Sequence, residues 1–433
     1  MKPYTYSYYN AQYYATTPKG TGLITPTNCQ PIKGVRTCAV DKLNSYRKYG
    51  QTSTVSQVSK YGIFRTGVWY EWATTNRFQA PSDPFTKQDD VLPNFHERFY
   101  TNSYQPFAEY EYHATPKLTL TGGFKYAHYS MDLTQYADNG KTVGNLGGKP
   151  YVNNFAGFNS YLPSADANYR LQSNWSVYGQ YATGSIIPPS SVFDYNQTAS
   201  SSNPAPKITV LPKPTTAVTF QAGTVLKMRR LTLNGDVYHT RFQNSYGSAL
   251  DSEGNTYYVQ TGDSITKGFE GEANLYIAKG LSFYANGTAG VAKYASHEVN
   301  GTPLTNYGQW VANTPANTQA LGLTYQQKYL DVGIFNKRIG PMWNDSGSYN
   351  QAVPIDPFNV TNMYFNYTVR SGSRFDQTKI RLSFNNLFDQ HNVTGVNPAT
   401  PAQTFKPAGS DVLTLLPGRS IMLSVAFGFS PKR

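Results

Sequence analysis

Hydrophobic and polar positions alternate with a period of two along much of the chain, and the clearest run lies near its C-terminus. In residues 419–429, Ile421, Leu423, Val425, Phe427 and Phe429 fall on one side of an extended backbone, with Ser420, Met422, Ser424, Ala426 and Gly428 on the other. Successive strand side chains point to opposite faces, so the run predicts a β-strand with one apolar and one small or polar face. Such a strand suits a barrel wall between lipid and a polar lumen. A half-buried strand of a soluble sandwich carries the same alternation, so the run alone leaves both open. Leu118, Leu120, Phe124 and Tyr126 oppose Thr119, Thr121 and Lys125 in the same manner. Leu281, Phe283 and Ala285 oppose Ser282, Tyr284 and Asn286, and Ile380, Leu382 and Phe384 oppose Arg381, Ser383 and Asn385.

The alternating runs recur in a rhythm of strand, short turn, strand, long loop. Short turns are expected at 114–117, 171–174, 227–229, 278–280, 326–328 and 371–374. Segments rich in Gly, Asn, Ser and Pro separate the hairpins, near 80–97, 132–159, 184–213, 243–263, 296–313, 341–358 and 390–417. This spacing predicts an all-β, antiparallel chain of about sixteen strands, with the register of the first part open. Counting back from the last strand places every long loop on one side. The loop holding Cys29 and Cys38 joins them if residues 42–50 form a strand. No composition shift divides the chain, which favours one continuous sheet over several sandwich domains.

Composition adds weight to the membrane reading. The 433 residues include 36 Tyr, 23 Phe and 36 Gly, with 14% charged residues and a mean hydropathy of -0.50. No stretch approaches the length of apolar sequence that a transmembrane helix needs, so a bilayer would have to be crossed by strands. Aromatic residues at 15% suit the girdles of a barrel, although a surface adhesin could share that composition. The net charge of +12 is scattered singly through turns and loops. Without a basic helix or a nucleic-acid-binding motif it points to anionic headgroups or an anionic solute and away from nucleic acid. Cys29 and Cys38 would close a small loop if oxidised, implying an oxidising compartment; two unrelated thiols are the alternative. The first ten residues have no signal-peptide core and already read as a strand, so the chain is expected to be a mature fragment or a reading frame lacking its beginning.

Catalytic patterns are missing from the sequence: there is no nucleophile elbow, phosphate loop or dinucleotide fingerprint. His96-Glu97 and His297-Glu298 lack the second His of a zinc-binding helix, and Asp89-Asp90 sits in a turn-rich loop. No catalytic residue, metal site or cofactor is therefore expected, and the chain reads as no enzyme. A barrel protease with acidic and His residues converging at its rim stays open.

Residues 382–389 read Leu-Ser-Phe-Asn-Asn-Leu-Phe-Asp, and Leu-Pro-Gly-Arg-Ser-Ile follows at 416–421. Asn386, Leu387, Phe388 and Asp389, with Gly418 and Arg419, resemble the closing signature of TonB-dependent outer-membrane receptors. Residues 118–126 are similar to that family's Gly-aromatic-Arg-Tyr strand, with Lys125 where Arg is usual. Residues 175–182 resemble its aromatic strand before a Pro-bearing loop, here Pro188 and Pro189, and 267–272 its Gly-Val-Glu motif, with Phe269 for Val. The motif residues read as barrel-building groups and locate no binding site.

The resemblance implies an antiparallel transmembrane β-barrel with long extracellular loops and short periplasmic turns, in the bacterial outer membrane. Family barrels have about 22 strands. Residues 1–433 therefore read as one N-terminally incomplete barrel domain, without the plug and with two unpaired sheet edges, costly in hydrocarbon. A second departure is the tail at 430–433, which follows the aromatic residue where such barrels usually end. The implied function is TonB-energised uptake of a scarce solute, most simply a ferric siderophore. A passive porin-like channel, a nonfunctional receptor fragment and a structural or adhesive barrel are the alternatives. Expected partners are outer-membrane lipid and lipopolysaccharide, the barrel assembly machinery, a ferric chelate, and TonB through the plug of full-length relatives. Loop residues able to offer a chelate cations and aromatic faces are Tyr195, Arg241, Tyr246, Tyr307, Trp310, Trp343 and Tyr349; packing within loops or an upper girdle would equally explain each.

Overall fold

The computed structural model describes residues 1–15, 24–31, 36–138, 151–188, 213–250, 256–299, 301–304, 306–345, 352–370, 372, 375–397 and 412–428. Among these there is no helix. The strands are β1 (Lys2–Ala15), β2 (Ala39–Ser59), β3 (Gly62–Ser82), β4 (Phe95–His113), β5 (Leu118–Tyr136), β6 (Tyr151–Gln172), β7 (Trp175–Ile186) and β8 (Thr215–Lys227). Next come β9 (Leu231–Leu250), β10 (Thr256–Ala278), β11 (Leu281–Tyr294), β12 (Glu298–Val299), β13 (Thr302–Pro303), β14 (Asn317–Gln327) and β15 (Leu330–Ile339). The chain continues through β16 (Met342–Asp345), β17 (Ala352–Ile355), β18 (Phe358–Thr368), β19 (Lys379–Asn385), β20 (Val393–Asn397), β21 (Val412–Leu415) and β22 (Ser420–Ala426).

Sixteen of these form one antiparallel sheet in chain order, β1 to β11 and then β14, β15, β18, β19 and β22. The expected strand number and class are met. Among the described residues β1 pairs with β2 alone and β22 with β19 alone, so both outer edges lack a ladder partner.

Register carries the alternation from strand to strand. Ile380, Leu382 and Phe384 stand opposite Val425, Leu423 and Ile421, while Arg381 and Ser383 stand opposite Ser424 and Met422. The sheet therefore has an apolar and a polar face. On the polar face, Arg65 donates to Glu109 (2.7 Å) and Glu111 (2.8 Å). Tyr364 and Asn366 donate there to the Asp331 carboxylate (3.2 and 3.0 Å), and Tyr284 donates to Glu272 (3.3 Å). On the other face Phe220, Val237 and Phe269 stand 55%, 57% and 53% exposed.

Aromatic rings and glycines pair across strands on the polar face. Tyr4 lies opposite Gly50, Tyr178 opposite Gly223, Phe335 opposite Gly322 and Tyr364 opposite Gly333. A Cβ at any of these glycines would collide with the ring, so the missing side chain lets the ring lie against the backbone. Lys279 (φ 50°) and Gly280 (φ 90°) form the two-residue turn between β10 and β11, with the positive dihedrals that match hairpin twist.

Short and long connections segregate to opposite ends of the sheet. The expected turn at 371–374 is corrected to a longer connection, 369–378, in which residues 371, 373 and 374 lie outside the described ones. Several expected loops also shrink, because β5 and β6 run to Tyr136 and from Tyr151, and β9 and β10 run to Leu250 and from Thr256. With 22 residues in β6 and 23 in β10, these strands exceed the roughly 9–11 residues that cross a bilayer and continue as paired ribbons.

At the long-loop end the polar face turns apolar and is covered. Phe99, Met131, Leu133, Ala156 and Phe158 pack under Ile187, which begins the β7–β8 connection. Glu97 is fully buried there, paired with Arg77, whose guanidinium also lies over the Phe95 and Phe99 rings. A second cluster, Met342, Ile355, Phe358 and Val396, ties the β16–β17 hairpin to β18 and β20. Cys29 and Cys38 are bonded, with Cα atoms 6.0 Å apart, in the loop between β1 and β2.

The closing motif is a joint between β19 and β22. Asn386, 3% exposed and at φ 49°, donates through Nδ2 to the carbonyls of Gln390 and Pro417 (both 2.9 Å) and accepts from the Gln390 amide (2.9 Å). Leu387 donates its amide to Thr361 (2.7 Å), and the Arg419 amide, next to Gly418, donates to Asp389 Oδ1 (2.7 Å). Phe388 stands 65% exposed. The tail at 429–433, including Phe429, lies outside the described residues.

Candidate ligand vestibule

Two ordered loops meet at the long-loop end above β11, β14 and β15. The segment after β11 runs back alongside it: Gly308 and Gln309 exchange hydrogen bonds with Tyr294, and the Val311 amide donates to Ala292. This backbone pairing fixes Tyr307 and Trp310. The second loop presents Trp343 from β16, whose hairpin is anchored by buried Met342 and Ile355. The Asn313 amide donates to the Trp343 carbonyl (2.6 Å), and the Trp310 and Trp343 rings stand 5.0 Å apart at 42°. Trp310 Nε1 donates to the Thr314 carbonyl (2.6 Å), so this indole offers a neighbour its ring face.

Tyr307, half-exposed, stacks on His297 with centroids 3.6 Å apart and 24° between planes. His297 enters the sequence reading only as half of an incomplete zinc pair, and only the fold shows it against Tyr307. Lys337 is a second residue that sequence reasoning missed. It is exposed on the polar face of β15, opposite Ala320 and Val360 and two residues before Ile339, which packs against the Met342 cluster. Trp310 itself stands opposite Lys293 of β11 in an isolated bridge, so cations and aromatic faces share this end of the sheet, a combination that suits a flat anionic ligand.

The remaining candidates divide. Tyr195 and Tyr349 lie outside the described residues. Tyr246 is a strand residue of β9 and not a loop residue; its hydroxyl donates to the Lys213 carbonyl (2.7 Å) and accepts from Gln260 (3.1 Å). Arg241 is likewise in β9, on the apolar face with Val237, and its guanidinium is paired with Asp263 (2.7 Å). Both corrections have one cause, the extension of β9 and β10 through a polar segment that still pairs across the hairpin. Among the described residues no group of His, Cys, Asp and Glu is arranged to hold a metal ion.

Comparison with known families gives a match to the model described as "TonB dependent receptor-like, beta-barrel" over residues 3–387. Solved structures with the same fold include the ferric yersiniabactin uptake receptor FyuA from Yersinia pestis, at 17% identity and TM-score 0.64, covering 89% of this chain and 55% of that one. The copper transporter OprC is similar at 14% identity and TM-score 0.68, covering 90% of this chain and 58% of its own. The siderophore receptor PiuA from Acinetobacter baumannii aligns at 17% identity and TM-score 0.64, covering 98% and 61%. The chain thus spans little more than half the length of these structures. No curated protein sequence matches it.

Proposed function

The chain belongs to the TonB-dependent receptor-like β-barrel family, and on that premise we propose that it forms the wall of an outer-membrane receptor that admits a ferric siderophore. In this reading the apolar face contacts lipid, the polar face lines the lumen, and the long connections are extracellular. The observation that carries it is the aromatic vestibule at the long-loop end, with Trp310 against Trp343, Tyr307 against His297, and two exposed cations in the same part of the sheet, Lys293 opposite Trp310 and Lys337 on the polar face of β15. Aromatic planes offer dispersion and stacking to the flat arms of a chelate, and a nearby cation offsets its negative charge. FyuA is named a ferric yersiniabactin uptake receptor and PiuA a siderophore receptor, which supports the same class of solute here. The work such a wall does is recognition and passage, with no bond made or broken. Energised release through TonB and a plug belongs to the proposal for the whole receptor.

Equilibrium dialysis with radiolabelled ferric siderophores tests this, using the chain in lipid nanodiscs. Binding should saturate, and Trp310→Ala/Trp343→Ala should weaken it by about tenfold or more, the scale of a lost aromatic anchor. Unsaturable uptake of label, or equal binding by the double variant, would rule the vestibule out.

A further inference from the structure

A group of cations lies on the polar face at the short-turn end, the opposite end of the sheet from the vestibule. Gln326, Asp331, Asn366, Arg381 and Ser424 follow one another in register across β14, β15, β18, β19 and β22, and Lys379 stands opposite Thr368 and Ala426 on the same face. With Lys328 in the short turn after β14, they line a recess of about 470 Å³. Lys328, Lys379 and Arg381 are all exposed, and none of them makes an ion pair among the described residues. Elsewhere on this face Lys48, Arg65 and Arg77 are each paired with a glutamate. Asp331 is the one acid among the described residues that line the recess, and its two oxygens already accept from Tyr364 and Asn366. Three cations against one carboxylate leave a surplus of two positive charges.

Arg381 is held in a fixed plane. Its Nε donates to Ser383 Oγ (3.0 Å) and its guanidinium lies over the Tyr364 ring, 5.4 Å from the centroid, which leaves its two terminal amino groups to donate elsewhere. A planar fork of this kind matches two oxygens of a carboxylate or a phosphate. Lys379 lies two positions along β19, about 7 Å away on the same face, and the like charges repel until an anion lies between them. We propose that the recess binds a phosphate group, free or esterified, with Arg381 gripping two of its oxygens and Lys328 and Lys379 neutralising its remaining charge. A phosphate carries close to two negative charges at neutral pH, which equals the surplus, and its tetrahedral oxygens face donors on several sides where a single carboxylate cannot. The volume suits a small solute. Lys337 lies about 20 Å further along β15, so the recess shares no side chain with the vestibule and does not depend on the ferric-chelate reading.

Equilibrium dialysis of radiolabelled orthophosphate against the chain in nonionic detergent tests this, with unlabelled orthophosphate, glycerol phosphate and chloride as competitors. Binding should saturate at an equimolar level. A lost charge-assisted hydrogen bond costs about tenfold in affinity, so Arg381→Lys, which keeps the charge and loses the fork, should weaken binding about tenfold. Lys328→Asn/Lys379→Gln should weaken it about a hundredfold on the same scale, Asn being tolerant of the positive φ at position 328. Lys227→Gln/Lys279→Asn, the same charge change at other short turns, should leave binding as it is. Asp331→Asn keeps an acceptor for Tyr364 while removing the competing charge, and should tighten binding. Displacement by glycerol phosphate shows that an esterified phosphate enters, and displacement by orthophosphate alone restricts the site to the free anion; both uphold it. Equal displacement by chloride, binding that does not saturate, or unchanged affinity in the Arg381 and lysine variants overturns it. The Trp310→Ala/Trp343→Ala chain should bind phosphate as the parent does, so failure of the chelate reading and failure of this site are told apart; lost phosphate binding there would overturn a separate site.

Discussion

Asp389 shows how one side chain of the closing motif holds the last strand in place. The Arg419 amide donates to its carboxylate, and with the charges of His391 and Arg419 this holds the carboxyl below the usual aspartate range. Because the folded pKa is depressed, the contribution is fully present above the unfolded carboxylate value near ~4 and is lost as pH falls through the folded value. Hydrogen exchange at the Arg419 amide reads this directly. Protection should fall with acid in the parent, and Asp389→Asn should abolish that acid-dependent step; the same step in both proteins would contradict the role. The motif letters were legible in the sequence, but their bonds were not, since Asn386 reaches Pro417, 31 positions further along the chain. Lys337 and His297 were missed for a related reason: nothing local distinguishes a strand lysine at the long-loop end, or a histidine stacked on a distant tyrosine, from any other.

Strand faces could be read from the sequence because each strand is paired along its length and alternation is then enforced by geometry. Strand ends could not, because Gly, Asn and Ser segments that read as loops still pair when a hairpin partner lies alongside, as residues 245–250 do with 256–262. The ring-on-glycine pairs are a device of the same scale. Gly322→Val and Gly333→Val should each destabilise the sheet by about 1–3 kcal/mol by forcing Phe335 or Tyr364 off the backbone. Gly122→Val, where nothing lies within 4 Å, should cost far less. Denaturant midpoints in the same lipid give the comparison, and equal shifts at all three positions would dismiss the pairs. Topology is testable at this scale also. In a Cys29→Ser/Cys38→Ser background, Val91→Cys in a long connection should react with an impermeant maleimide on intact cells, and Lys117→Cys in a short turn should not. Equal labelling would overturn the topology.

For the molecule as a whole, the central claim is that one continuous sheet separates lipid from a polar lumen. Its two-faced register, its exposed apolar band and its membership of the receptor barrel family all bear on that claim. β10 offers the most direct test, since Glu270, Glu272 and Asn274 lie on its polar face and Phe269, Ala273 and Leu275 on the other. Nitroxide labels placed singly at these six positions in vesicle-embedded protein report contact with oxygen, which concentrates in the bilayer, or with a water-soluble nickel chelate. Collision with oxygen should dominate at Phe269, Ala273 and Leu275, and collision with nickel at Glu270, Glu272 and Asn274, alternating with a period of two. Nickel access at every position, or no alternation at all, would contradict a membrane wall.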